Sequence, residues 1–425
     1  MLFGGWRGGW VACTVAAMAA RVNAGGYLKV TGWIGDGRAA ETACLQRVSA
    51  SETANAYHAR MNDKPTPKPA VRGRGLVTNP AGRFEQRHYH AEDDGWPGDD
   101  ERAQPEQVAT RISIETPRSA ISRNDSPDVP FDQAINPYRG CEHGCAYCYA
   151  RPSHAYLDLS PGLDFETRLT AKAGLAEILR KELARPGYRP SPINLGSNTD
   201  PYQPIERQWG LSREILQLLV ECRHPCTIVS KNAMVERDMD LLRQLAAFDG
   251  VRVFISVNTL DNRLAARLEP RASAPHRRIQ AIGKLARAGI PVGVLVSPII
   301  PAVNDRDIET IIEQAAAAGA DSAGYSTIRL PHELKDLFRE WLARHYPQRA
   351  SHVMSLIQQL HAGRDYDSDF RHRMQGQGLF AQLIRRRFEV AMRQHGLLDR
   401  AALALNTSAF LPPRKSSPQG DLFQA

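Results

Sequence analysis

The chain has 425 residues, 42% of them hydrophobic, which is enough to bury a large core and to make two to three domains at about 150 residues each. Its 54 Lys and Arg against 46 Asp and Glu leave a net charge of +8, compatible with a nucleic-acid partner but not requiring one. No apolar run reaches the ~18 residues that cross a bilayer, which excludes a membrane-spanning helix, and seven cysteines with three in one run exclude a simple disulfide framework.

Val11 to Ala20 is a short apolar stretch after Arg7, and Ala-Gly-Gly follows at 24–26, the outline of a signal peptide. The first sixty residues lack a sustained helical or strand period. Met61 opens a different texture of Pro, Gly and charge. We therefore expect residues 1–60 to be a non-native or disordered extension, with Met61 as the native start. Residues 61–130 read as a flexible segment rich in Pro, Gly and charge. Within it, Arg72-Gly73-Arg74-Gly75 reads as a flexible basic tail or a nucleic-acid contact, and residues 111–115 as a short strand.

From residue 131 to 330, strand and helix signals alternate. Short apolar runs fall at 134–138, 193–197, 227–230, 252–257, 292–297 and 322–328. Helical spacing lies between them, as in Ile215, Leu218, Leu219 and Cys222, or Ile308, Ile311, Ile312 and Ala315. Gly289 and Gly319 stand where helices should stop. Six strands alternating with helices predict an α/β fold, a parallel sheet with helices packed outside. The pattern does not say whether the sheet closes. Residues 331–408 read as an α-rich extension, with Leu379, Phe380, Leu383, Ile384, Phe388 and Met392 on one helical face. Residues 409–425 read as a tail.

The chemistry is concentrated in Cys141, Cys145 and Cys148, a C-x3-C-x2-C run. Three thiolates in eight residues can hold three irons of a [4Fe–4S] cube and leave the fourth open to a small molecule. Gly140 and Gly144 allow the tight loop this needs, and Tyr147 can lay a ring beside whatever binds the open iron. The bland reading is a zinc site, with His143 or His154 as fourth ligand. An air-sensitive cluster needs a reducing compartment, so the cytoplasm is expected.

This motif resembles that of the radical S-adenosylmethionine (SAM) superfamily. The wider run from Asn136 to Arg151 resembles its spore photoproduct lyase-like branch, often called DNA repair photolyase. The resemblance implies an open, partial (β/α)6 barrel with the site at the strand C-terminal ends. It implies SAM bound to the open iron and cleaved reductively to methionine and a 5′-deoxyadenosyl radical. The electron would come from a reductant such as flavodoxin or ferredoxin. It also implies that Thr199 and Asp200 face the SAM ammonium and that Lys231 and Ser256 hold its carboxylate. Asn258 joins this set because it shares a strand face with Ser256. Ser297 and Asn304 would lie on the adenine side. Glu269 either binds the ribose or ends a helix.

Glu142 and His143 are expected to face solvent. Cys222 and Cys226 are expected in the core. No counterpart of the spore enzyme's hydrogen-donor cysteine can be placed. The reading is therefore a radical SAM enzyme with a nucleic-acid substrate, as in DNA lesion repair. An RNA- or protein-modifying enzyme is the enzymatic alternative. A non-catalytic zinc or cluster protein that binds nucleic acid is the alternative of another class. Finally, Gln419-Gly-Asp-Leu422-Phe423 resembles the short peptide by which bacterial DNA-maintenance proteins dock on the sliding clamp.

Overall fold

The computed structural model describes residues 19–22, 28–34, 38–41, 71–84, 108–399 and 404–413. Residues 1–68 form a unit of their own, in which Ala19–Val22, Leu28–Ile34 and Arg38–Glu41 pair as an antiparallel meander. The proposed start at Met61 and the docking peptide of Gln419, Leu422 and Phe423 lie outside the described residues.

In the second unit the six apolar runs become parallel strands. They are β1 (Gln133–Ile135), β2 (Ile193–Leu195), β3 (Cys226–Ser230), β4 (Val251–Ser256), β5 (Val292–Ile299) and β6 (Ser322–Thr327). They lie in sequence order, flanked by the antiparallel pair Ser122–Arg123 beside β1 and by Leu398–Asp399 beside β6. The two flanking strands do not pair with each other, so the sheet is an open partial barrel.

Alternation along each strand decides what faces where. Ile193, Ile228, Val253 and Val294 are fully buried under the outer helices. These include α1 (Leu175–Leu183), α2 (Leu211–Glu221), α3 (Met239–Ala246), α4 (Pro275–Arg287) and α5 (Ile308–Ala318). Pro275 at the first turn starts α4, where its missing N–H costs nothing. Gly319 ends α5 at φ +104°, as expected for a left-handed C-terminal glycine. Cys222 and Cys226 are wholly buried in this core, as the sequence predicts.

The C-terminal extension contains Leu334–His345, Ala350–Leu360 and α6 (Gly378–Gln394). The buried face of α6 is Ala381, Ile384, Phe388 and Ala391, while Leu379 and Leu383 are 85% and 52% exposed. The expected apolar stripe was therefore placed too far toward Leu379. Six apolar residues spread over about four turns admit more than one face, and Phe388 against Tyr325 of β6 selects this one.

Phe410 and Leu411, expected to belong to a tail, are held against the barrel. Leu411 N–H donates to the Cys222 carbonyl at 2.8 Å, and Asn406 N–H to that of Asp249 at 3.0 Å. The Phe410 ring packs edge-on against His224 and beside Tyr188. His224 is fully buried, and that burial lowers its pKa to about 4.

A folded-state pKa near 4, below the ~6.5 of an unfolded histidine, means that stability is full above pH ~6.5 and is lost as pH falls toward 4. This group accounts for up to about 3 kcal/mol across that window. Denaturant unfolding of wild type and His224→Gln at pH 7 and pH 5 should show a flatter pH dependence in the variant.

Candidate active site

The cysteine loop follows β1 and is gripped from three sides. Its first residues after β1, Tyr138–Arg139, form the edge of a small second sheet with Arg168–Lys172 and Arg111–Glu115. Cys141 N–H donates to the Phe165 carbonyl at 2.9 Å, and Ala146 N–H to Leu268 at 3.0 Å. Gly140 and Gly144 have φ of +72° and +67°. A Cβ on Gly140 would come within 2.6 Å of Leu169, and one on Gly144 within 2.6 Å of Glu166, so glycine is required at both.

Arg151 and Glu166, both fully buried, form an ion pair at 2.5 Å behind the loop. Arg151 also donates to the carbonyls of Cys145 at 2.9 Å and Gly162 at 2.7 Å. Glu166 also accepts from the Gly75 and Leu76 N–H groups at 2.9 and 3.1 Å. Arg74 is 8% exposed and donates to the carbonyls of Glu166 and Val108 and to the Thr110 hydroxyl. The Arg-Gly-Arg-Gly stretch is thus neither a tail nor an open contact surface at Arg74 and Gly75. It is a strap buckled against the cysteine loop.

Glu142 and His143 are buried, not solvent-facing. Glu142 accepts from Thr110 at 2.6 Å and Arg271 at 2.9 Å. His143 Nδ1 lies 3.3 Å from Asp200. Burial opposes charge on His143, but Asp200 and then Cys141 outweigh it and raise the pKa to about 10. Burial likewise opposes charge on Asp200, yet His143 and the N–H groups of Lys231 and Tyr202 bring it down to about 2. Local hydrophilicity pointed these side chains outward; the segments that bury them come from distant parts of the chain.

Cys141, Cys145, Cys148, Tyr147, Thr199, Asp200, Lys231 and Ser256 all line one cavity of about 250 Å³. Asn258 lies behind it, fully buried, with its Nδ2 3.3 Å from the Tyr147 hydroxyl and its Oδ1 without a partner. Thr199 donates to the Tyr138 carbonyl at 3.0 Å, and Ser256 to that of Ser297 at 3.2 Å. Asp200 accepts from Ser230 Oγ and from Lys231 N–H, each at 2.8 Å. Burial works against the charge on Lys231, but Cys145, Glu269 and Asp200 hold its pKa above the ordinary value.

Ser297 lines the cavity, whereas Asn304 is a loop brace, donating to the Asn258 and Pro298 carbonyls. Glu269 ends the helix Asn262–Leu268 and bonds the Tyr147 hydroxyl and Arg278. Sequence reasoning missed Arg278, Glu166 and the cavity-edge Tyr149, over whose ring Arg329 sits at 4.0 Å. Arg151 closes the quoted motif and could have been found; Glu166 carries no local signal.

The donor set fits an iron–sulfur cube. All three cysteines are unpaired and face one cavity. Burial, with Glu269 next, pushes the Cys145 thiol up, so a cationic group is needed to stabilise its thiolate. Among the described residues no three His, Cys, Asp or Glu side chains converge on one ion. Of the proposed fourth zinc ligands, His143 is engaged with Asp200 and Asn232, and His154, whose Nε2 meets the Arg168 carbonyl at 2.9 Å, does not line the cavity. No helix among the described residues is long and apolar enough to cross a membrane.

Residues 135–315 match the family model described as the radical SAM superfamily. An uncharacterized protein of Mycobacterium tuberculosis, Rv2578c, is 35% identical over 242 residues, covering 56% of this chain and 71% of that protein. A Pseudomonas phage protein named radical SAM Nalpha-GlyT isomerase is 28% identical over 208 residues, covering 46% of this chain and 41% of its own. Among solved structures, a spore photoproduct lyase aligns with a TM-score of 0.46 at 18% identity, covering 68% of this chain and 81% of that one.

Glu166→Gln removes the carboxylate that pairs with buried Arg151, a change expected to cost about 3–5 kcal/mol. In metal-free protein it should lower Tm and speed the reaction of Cys141, Cys145 and Cys148 with a thiol reagent. Unchanged thiol reactivity would mean that the pair does not hold the loop.

Proposed function

This chain belongs to the radical SAM superfamily, and we propose that it binds a [4Fe–4S] cluster and SAM in the barrel mouth and acts on nucleic acid. The observation that carries the reading is the convergence of Cys141, Cys145 and Cys148 with Lys231 and Ser256 on one cavity at the strand ends. When bound, the cluster supplies the electron that cleaves SAM to methionine and a 5′-deoxyadenosyl radical.

The protein's own part is binding, orientation and exclusion of water. Cys141, Cys145 and Cys148 hold the cluster. Lys231, kept charged by its acidic neighbours, meets the SAM carboxylate with a charge-assisted bond, and Ser256 lies beside it. Thr199 and Asp200 form the ammonium side. Tyr147, fixed by Glu269 and Asn258, walls the site. A nucleic-acid substrate is supported by the net charge of +8 and by half-exposed Tyr149 under Arg329 at the cavity edge. An aromatic face with an arginine is a sequence-tolerant platform for a base. In this reading a flavodoxin- or ferredoxin-like protein is the reductant, and Gln419, Leu422 and Phe423 dock the tail on a sliding clamp.

Protein reconstituted anaerobically should be brown, carry about four irons per chain, and release 5′-deoxyadenosine with SAM and dithionite. Cys145→Ala should lose cluster and product together; SAM cleavage retained in that variant would end the assignment. Lys231→Ala should keep the cluster spectrum while SAM binding weakens about tenfold to a hundredfold, the loss of one charged contact. Adding damaged DNA, undamaged DNA or RNA identifies the substrate class by which one raises 5′-deoxyadenosine release.

A further inference from the structure

The barrel lumen continues below the cysteine level to a second set of polar groups. Asn194 of β2, Thr227 of β3 and Arg252 of β4 are register partners across three adjacent strands, so they stand at one height. All three line the same cavity as the cysteines. Thr227 lies four residue steps before Lys231, about 13 Å at ~3.3 Å per residue. This is the floor of the lumen, and Leu405 of the pinned C-terminal segment also lines the cavity.

Two atoms here lack the partners that buried polar atoms ordinarily have. Asn194 is 5% exposed; its Nδ2 lies 2.9 Å from Thr227 Oγ1, and its Oδ1 accepts nothing. Arg252 Nη1 is held by Asp321 at 2.5 Å and Ser322 at 3.3 Å, yet its buried Nε donates to nothing. Between these and the mouth stand the register partners Val229 and Phe254, with Leu295 level with Ser256. Phe254 sits against Gly293, where a Cβ would come within 2.7 Å of its ring, so glycine lets the ring pack beside β5.

We propose that this floor, built by Asn194, Thr227, Arg252 and Phe254, receives one uncharged nucleobase of the substrate. The chemistry selects the class. An unpartnered amide atom on Asn194 and an unpartnered donor on Arg252 suit a ring edge that carries both an N–H and an acceptor, and an aromatic wall suits a planar ring. An anion is disfavoured because the charge of Arg252 is already met by Asp321 and Asn194 presents an oxygen. A cation is disfavoured because the unpartnered group on Arg252 is an N–H donor. The base reaches the floor as a single-stranded or extruded nucleotide, since a stacked duplex cannot enter the lumen. This inference rests on the nucleic-acid reading above.

The test uses reconstituted protein and single-stranded trinucleotides of each DNA base and of uracil, with binding followed by NMR saturation transfer and titration. At least one should bind, and about tenfold more weakly in Asn194→Leu. Thr227→Val keeps the volume but removes the hydroxyl that orients Asn194, and should weaken binding in the same direction. It guards against a folding defect in the first variant. No trinucleotide bound at ~1 mM, or equal binding by wild type and both variants, overturns the floor site and leaves only ordered water to satisfy these atoms. A tenfold rise in the SAM Kd of Asn194→Leu would instead place the SAM adenine there and equally overturn the proposal. Formation of 5′-deoxyadenosine by wild type is scored separately: its absence would overturn the radical SAM reading itself.

Discussion

The buried pair of Arg151 and Glu166 is the constraint on which the site depends. Taking both charges out of water is expensive, and an apolar pair of equal volume is often no less stable. Here the pair does what an apolar pair could not. It satisfies backbone groups of three segments that share little regular secondary structure: the Gly75 and Leu76 N–H groups, the Cys145 carbonyl, and the carbonyls of Pro161 and Gly162. Buried loop backbone must find partners somewhere. A guanidinium with five donors and a carboxylate with four acceptor sites can serve several strands of loop at once. The cysteine loop therefore has a fixed shape that does not derive from a sheet or a long helix.

The strands are equally economical. Ile228 and Val253 point outward into the helix layer, while their neighbours Thr227, Val229, Arg252 and Phe254 line the lumen. A slip of one residue would send Ile228 and Val253 inward and Thr227 and Arg252 into the core. Register is thus fixed by the outer core, and the lumen receives its chemistry from the same constraint. Stability and site geometry are set by one alternation.

This explains what could be read from the sequence. The six strands were legible because apolar runs of strand length, punctuated by helices ending at Gly289 and Gly319, leave few alternatives. The three cysteines were legible because their spacing is local. Burial of Glu142 and His143 was not legible, since Arg271, Thr110 and Asp200 approach from elsewhere in the chain. The strap at Arg74-Gly75 was hidden for the same reason, its partner Glu166 lying ninety-odd residues away. The face of α6 was misjudged because the stripe from Leu379 to Met392 is wider than the surface it covers. In each case the missing information was a long-range contact, and no local pattern encodes one.

Asp200 shows how such contacts change a residue's role. Sequence resemblance puts it opposite an ammonium group. In the fold, one of its oxygens accepts from Tyr202 N–H and Ser230 Oγ, and the other accepts from Lys231 N–H and faces His143. A carboxylate has about four acceptor sites; three of them take hydrogen bonds here and the remaining side faces His143. Asp200 therefore joins the end of β2 to the end of β3 and sets the position of the Lys231 backbone. Its depressed pKa reflects that work: burial alone would raise it, and the surrounding donors more than reverse the effect. An ammonium arriving beside it would share a carboxylate already held rigid, with little reorganisation on binding. Positioning Lys231 and presenting negative charge to the cavity are then two consequences of the same four contacts.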